Sequence, residues 1–166
     1  MVPSGGKWGY FYKTTFGAVI VIFKSKYNHT IDTKGRLIIP SRFRESLGDK
    51  FVITKGLDGC LFAYDNQEWM AFEEKLKALP LSKKENRQFA RFFMSGAADV
   101  EVDKQGRILI PSDLRDFAGL DKDVVLAGVA SRVEIWDKSR WDSLMEEDDE
   151  NMEEIAERMS DMGIGI

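Results

Sequence analysis

A chain of 166 residues with one cysteine and one histidine lacks much of the equipment that enzymes and metalloproteins use. Cys60 alone cannot form an internal disulfide, so a reducing compartment is the simplest assignment. His29 alone excludes, within one subunit, a catalytic or metal site built on paired histidines. Long apolar runs are missing too. Phe16 to Phe23 is too short to span a bilayer, and the Lys24-Ser25-Lys26 that follows is no small-residue cleavage site. There is no metal-ligand cluster and no phosphate-binding loop. The expectation is a protein without cofactor, metal, membrane partner or small-molecule substrate.

What is present is ordinary bulk with an uneven charge. A hydrophobic share of 43% and a charged share of 31% suit one compact domain, or two small ones, with a real core. The net charge of −4 conceals a division. Residues 141–166 carry ten acids and one base, whereas residues 1–140 carry 18 acids and 23 bases. A mildly basic body with an acidic C-terminal segment leaves nucleic acid open as a partner.

The chain also writes one stretch twice. HTIDTKGRLIIPSRFRESLG, His29 to Gly48, aligns without a gap on VEVDKQGRILIPSDLRDFAG, Val100 to Gly119. Asp32 falls on Asp103, Gly35 on Gly106, Arg36 on Arg107, Pro40 on Pro111 and Arg44 on Arg115. The echo resumes where Leu61 to Trp69 matches Val133 to Trp141. Two copies at so long a period imply one pseudo-symmetric module built twice rather than a solenoid.

Each copy reads as strand, turn, strand, short helix and hairpin. Alternation predicts a strand over 26–31, and Asp32-Thr33-Lys34-Gly35 supplies a turn with glycine available for positive φ. A short strand over 36–39 stops at Pro40, which opens a helix with Phe43 and Leu47 on one face and Gly48 at its end. Strands over 51–54 and 61–64 follow, joined by the Leu57-Asp58-Gly59-Cys60 turn. The second copy repeats this with strands ending at 102 and spanning 107–110, 124–127 and 132–136, and with Leu114 and Ala118 inward. Four short strands cannot bury their apolar face alone, so the copies are expected to interleave about a pseudo-twofold axis. Between them, one helix is expected over 66–79 and a second to about Met94, capped by Ser82 with Glu85 three residues on. A third is expected after Trp141, ending in a frayed 163–166. Trp69, Trp136 and Trp141 read as core.

These strings, with two Asp-x-x-x-Arg elements in register, resemble the MraZ family of bacterial transcriptional regulators, which carry two SpoVT-AbrB-type domains. The likeness runs from about Phe23 to Trp141. It implies an α+β fold, a duplicated swapped-hairpin AbrB-like β-barrel with inserted and C-terminal helices. The implied boundaries are an extension over 1–21, repeats over 22–69 and 98–141, a helical insertion over 70–97, and an acidic helix and tail over 142–166. The extension has no counterpart before the second repeat, and a start at Val21 is the alternative reading. The likeness further implies homo-oligomeric rings in the cytoplasm, associated with the nucleoid. Such rings would bind double-stranded promoter repeats near the operator of the division and cell-wall gene cluster, including the protein's own gene. The family's DNA-contacting arginine maps onto Arg36 and Arg107, and its motif aspartates onto Asp32 and Asp103.

The residue chemistry agrees. An arginine fork donates two parallel hydrogen bonds to a guanine edge or a phosphate, and an aspartate across a tight turn can hold it in one rotamer. The plainer reading is a surface ion pair that closes a turn. The copies differ in charge. From Lys24 to Arg44, six bases that include Lys34, Arg36, Arg42 and Arg44 face Asp32 alone, whereas from Asp99 to Arg115 only Lys104, Arg107 and Arg115 face four acids. Phosphate contacts need positive charge, so the first copy is expected to dominate binding. Rival readings are an AbrB-type antitoxin or transition-state regulator, and a structural oligomer without a DNA role. A paired-aspartate protease is disfavoured, because Lys34, Arg36, Lys104 and Arg107 would stand in its site.

Overall fold

The computed structural model describes residues 11–13 and 19–166. A short ribbon comes first, β1 (Phe11–Lys13) with β2 (Val19–Val21). The first copy then runs β3 (Lys26–Thr30), β4 (Arg36–Ile38), α1 (Ser41–Leu47), β5 (Lys50–Lys55), β6 (Leu61–Tyr64) and α2 (Asn66–Lys77). After α3 (Lys84–Gly96), the second copy runs β7 (Ala98–Glu101), β8 (Arg107–Leu109), α4 (Ser112–Ala118), β9 (Asp123–Val129), β10 (Arg132–Asp137) and α5 (Lys138–Asp161). The expected extension over 1–21 falls mostly outside the described residues. Of it, Val21 packs against the core.

Six strands form one antiparallel sheet in the order β3-β9-β10-β6-β5-β7. The opening strand of each copy pairs with the other copy: Tyr27 lies opposite Leu126, and Ala98 opposite Ile53. At the centre, Val133 faces Ala63 and Ile135 faces Leu61, a register that maps onto itself when the copies are exchanged. The β4–β8 ribbon does the same, with Arg36 opposite Leu109 and Arg107 opposite Ile38. Local pseudo-twofold symmetry is thus written into the hydrogen bonds.

The sheet is not closed as a barrel. Its ends are β3 and β7, and β4 and β8 form a separate two-stranded ladder. That ladder is three residues long on each side: at its ends Ile39 N and Ile110 N still donate to the Gly106 and Gly35 carbonyls, but the N–H groups of those glycines are taken by Asp103 O and Asp32 O in the turns.

Both faces of the sheet are covered, which explains strands that read as near-continuous apolar runs. Ile53, Leu61, Ala63, Val124 and Leu126 point into one core, where Phe43 and Leu47 of α1 and Leu114 and Ala118 of α4 meet them. Val52, Phe62, Tyr64 and Val125, one residue out of phase, point into the other, which α2, α3 and the first turns of α5 cover. Complete burial of each such large side chain contributes about 1.5–3 kcal/mol. Trp69 and Trp136 are buried here as expected, and Trp141 packs edge-on to Trp136.

Two helix starts differ from expectation. α3 begins at Lys84 with Lys83 at the cap and no side-chain cap bond, so Ser82 does not cap it. Arg87 Nη1 donates to the carbonyls of Leu81 (3.0 Å) and Ser82 (3.1 Å), and Asn86 Nδ2 to that of Pro80 (2.9 Å). These bonds hold 80–82 as a turn ahead of the helix. α5 begins before Trp141, capped by Asp137, whose Oδ2 accepts from Arg140 N, as Asp65 Oδ1 accepts from Glu68 N at the start of α2. The cap is repeated along with the rest. α5 has no buried residue, in keeping with its acid content.

Candidate nucleic-acid interface

The repeated aspartate builds each turn by itself. Asp32 Oδ1 accepts from the backbone N–H of Lys34 (3.0 Å) and Arg36 (2.9 Å), and Oδ2 accepts from Arg36 Nε at 2.7 Å. Asp103 does the same with Gln105 N (2.9 Å), Arg107 N (2.9 Å) and Arg107 Nε (2.9 Å). Gly35 and Gly106 close the turns at φ of 86° and 80°, a region that favours glycine. These hydrogen bonds, from the arginine backbone first, hold both carboxyls below the ordinary aspartate value, so each turn carries its negative charge at neutral pH.

The side chain of each arginine therefore meets its aspartate through Nε only. Both terminal amino groups of the guanidinium are without a partner among the described residues. Side chains a quarter to a third exposed, fixed at one atom and open at two, suit bidentate donation to something outside the chain. The ion-pair reading and the binding reading describe one arrangement. The pair orients the fork, and its other edge is free.

The β4–β8 ribbon brings Arg36 and Arg107 onto one outward face, at the diagonal of the ladder, roughly 7–8 Å apart along the backbone. Leu37 and Ile108, one residue out of phase, are buried beneath. The turns themselves stand at opposite ends of the ribbon, with Lys34 and Lys104 exposed on them. Arg42 is exposed on α1. Arg44 is not beside Arg36: it is half-buried, and its guanidinium lies on the Gly106 turn of the other copy. His29 is half-buried on β3 opposite Val124.

Two features go beyond the sequence-based expectations. Ile38 (43% exposed) and Leu109 (59%) share the outward face with the two arginines, for which the spacings Arg36-x-Ile38 and Arg107-x-Leu109 are the signal. Arg115 lies on the Gly35 turn as Arg44 lies on the Gly106 turn. Among the described residues, no group of three or more His, Cys, Asp or Glu could hold a metal, and no helix is long and apolar enough to cross a membrane. Cys60 is buried, its Sγ donates to the Leu57 carbonyl at 3.2 Å, and burial raises its pKa, so the thiol is held neutral.

Comparison with known proteins places these observations in context. A family model described as MraZ protein, antitoxin-like, matches the chain twice, over residues 22–92 and 93–163. The protein named transcriptional regulator MraZ in Acetivibrio thermocellus is 57% identical over 143 residues, 86% of this chain and 100% of that protein. The protein of the same name in Lachnoclostridium phytofermentans is 60% identical over 145 residues, 87% of this chain and all of its own length. That of Caldanaerobacter subterraneus is 58% identical over 139 residues, covering 84% and 97%.

Proposed function

Because this chain belongs to the MraZ family, we propose that it is a DNA-binding transcriptional regulator which reads promoter DNA through the Arg36 and Arg107 turns. The observation that carries this is the repeated fork: one arginine in each copy, oriented by its aspartate through Nε, with both terminal amino groups open. The major groove admits a two-stranded ribbon, and a two-residue arginine diagonal on such a ribbon fits its base edges. Lys34, Lys104 and Arg42 supply phosphate contacts, Asp32 and Asp103 orient the forks, and Arg44 belongs to the same apparatus. The chain is not an enzyme in this reading, and it works in the cytoplasm on the nucleoid.

The finer picture belongs to the same proposal. The two repeats, 22–69 and 98–141, exchange hairpins in the AbrB manner, supported by the crossed pairing of β3 with β9 and β7 with β5. Copies of the chain assemble into a ring that sets several Arg36 turns along one DNA, and linked contacts multiply the affinity for short repeats. The target is the division and cell-wall gene cluster, including the protein's own promoter.

The test is a salt-titrated binding assay of wild type and Arg36→Ala on DNA from upstream of the protein's own gene, with scrambled DNA as control. Specific binding that weakens with salt and vanishes in the variant supports the proposal. Nonspecific or absent binding by an intact oligomer overturns it.

A further inference from the structure

We propose that Arg115 and Arg44 are positioning residues that act across the pseudo-twofold: Arg115 holds the turn that presents Arg36, and Arg44 holds the turn that presents Arg107. The inference rests on the DNA reading of those turns and adds a dependence between copies that the order of residues conceals.

The contacts are reciprocal. A Cβ placed on Gly35 would lie 2.7 Å from Arg115 Cζ and 2.8 Å from its Nε. One on Gly106 would lie 2.8 Å from Arg44 Nη1 and 2.9 Å from its Cζ. Each guanidinium thus lies against the turn of the other copy, in the space that a side chain at the glycine would need. Both arginines project from the short helices, Arg115 from α4 and Arg44 from α1, so each helix of one copy supports the turn of the other. Neither makes an ion pair among the described residues, although Asp32 and Asp103 lie just beyond the glycines they cover. Their part is therefore contact and shape rather than neutralisation of the aspartates.

The two braces are unequal. Arg115 Nε donates to the Ile110 carbonyl at 3.0 Å, and Ile110 N donates to the Gly35 carbonyl at 2.9 Å, so the guanidinium is tied by hydrogen bonds to the turn it covers. In the mirrored place Ile39 N donates to the Gly106 carbonyl at 2.9 Å, but Arg44 Nε is buried with no partner among the described residues. The Arg36 turn is the better fixed. A residue of the acidic second copy thereby governs the reading arginine of the basic first copy.

Double-mutant cycles on DNA affinity test this, with Arg115→Met and Arg44→Met combined in turn with Arg36→Ala and Arg107→Ala. Arg115→Met is expected to weaken specific binding about tenfold, within the range of couplings between residues in contact. It should add nothing in the Arg36→Ala background and keep its full effect in Arg107→Ala, with Arg44→Met showing the opposite pattern. Equal losses in both backgrounds would mean general destabilisation and would overturn the proposal. So would effects that add everywhere and lower the salt slope by about one, the mark of a direct phosphate contact. Arg115→Lys keeps the charge without the planar group and is expected to behave like Arg115→Met; full activity would also overturn the proposal. If wild type binds no specific DNA, the NMR signal of Arg36 Nε–H decides. Its change in Arg115→Met, with that of Arg107 unchanged, supports the brace, whereas equal change at both sites or none refutes it.

Discussion

The two copies share their turn geometry and differ in what surrounds it. In both, one carboxylate accepts two backbone N–H groups and one guanidinium Nε, at distances that agree to within 0.2 Å (2.7 against 2.9 Å at Nε). Around Asp32 the flanking residues are basic, and around Asp103 they are balanced toward acid. The first turn is braced by a bonded arginine and the second by one whose Nε has no partner among the described residues. The geometry is the same in both halves, and the charge around it is not. On the proposed DNA reading, a duplicated unit can thus be made asymmetric without altering the turn itself, because phosphate attraction depends on the neighbourhood and base readout on the fork.

The largest expected effect breaks that comparison directly. Arg36→Ala should weaken specific binding by about 1–3 kcal/mol for each base that the fork no longer holds, multiplied where several turns engage one DNA. Arg107→Ala should cost less, as read by titration of each variant against the same promoter fragment. Equal losses would mean that the charge around each turn is irrelevant to its share of binding.

The glycines come next. Alanine at Gly35 or Gly106 meets a left-handed backbone that costs about 1–2 kcal/mol, and it also meets a guanidinium at under 3 Å. Arg115 is tied to Ile110 and cannot withdraw easily, whereas Arg44 Nε has no bond to break. Gly35→Ala should therefore lower the denaturant midpoint more than Gly106→Ala. The reverse order would show that the unbonded arginine is the more rigid one.

How much of this the sequence discloses depends on how far apart the interacting residues stand. Asp32 and Arg36 are four apart on one turn, so their pairing could be read directly. Phe43 with Leu47, and the out-of-phase apolar residues of β5, β6 and β9, follow from the periods of helix and strand. The pairing of β3 with β9 is only hinted at by the duplication, and the open sheet was not legible, because it turns on where two three-residue strands stop. Ser82 matched a capping pattern, but Arg87 and Asn86 reach back and claim the turn. Arg115 against Gly35 joins residues far apart in the chain, and its one signal was that both members recur in the other copy.

A smaller effect concerns the helices that end each copy. α2 is tied into the second core by Trp69 and Leu76, whereas α5 touches it only near Trp141 and Leu144 and then runs on exposed and acidic. Deleting 146–166 spares those contacts. It should tighten DNA binding a few-fold at low salt, the gain fading as salt screens the tail. Unchanged affinity at low salt would mean that the acids do not face the DNA.

The smallest expected difference is between the two aspartates. Both carboxyls are held below the 3.8 of an unperturbed aspartate, chiefly by the backbone N–H of Arg36 and Arg107. A depressed folded-state value means that the stabilisation is complete above the unfolded value and disappears as pH falls through the folded one. The turns should therefore hold their geometry throughout the neutral range and loosen only in acid below 3.8. Carboxyl carbon shifts followed by NMR should show Asp32 and Asp103 titrating together below that value. A clear separation would place part of the asymmetry inside the turns, and the unequal DNA affinities expected of the two copies could then no longer be assigned to their surroundings alone.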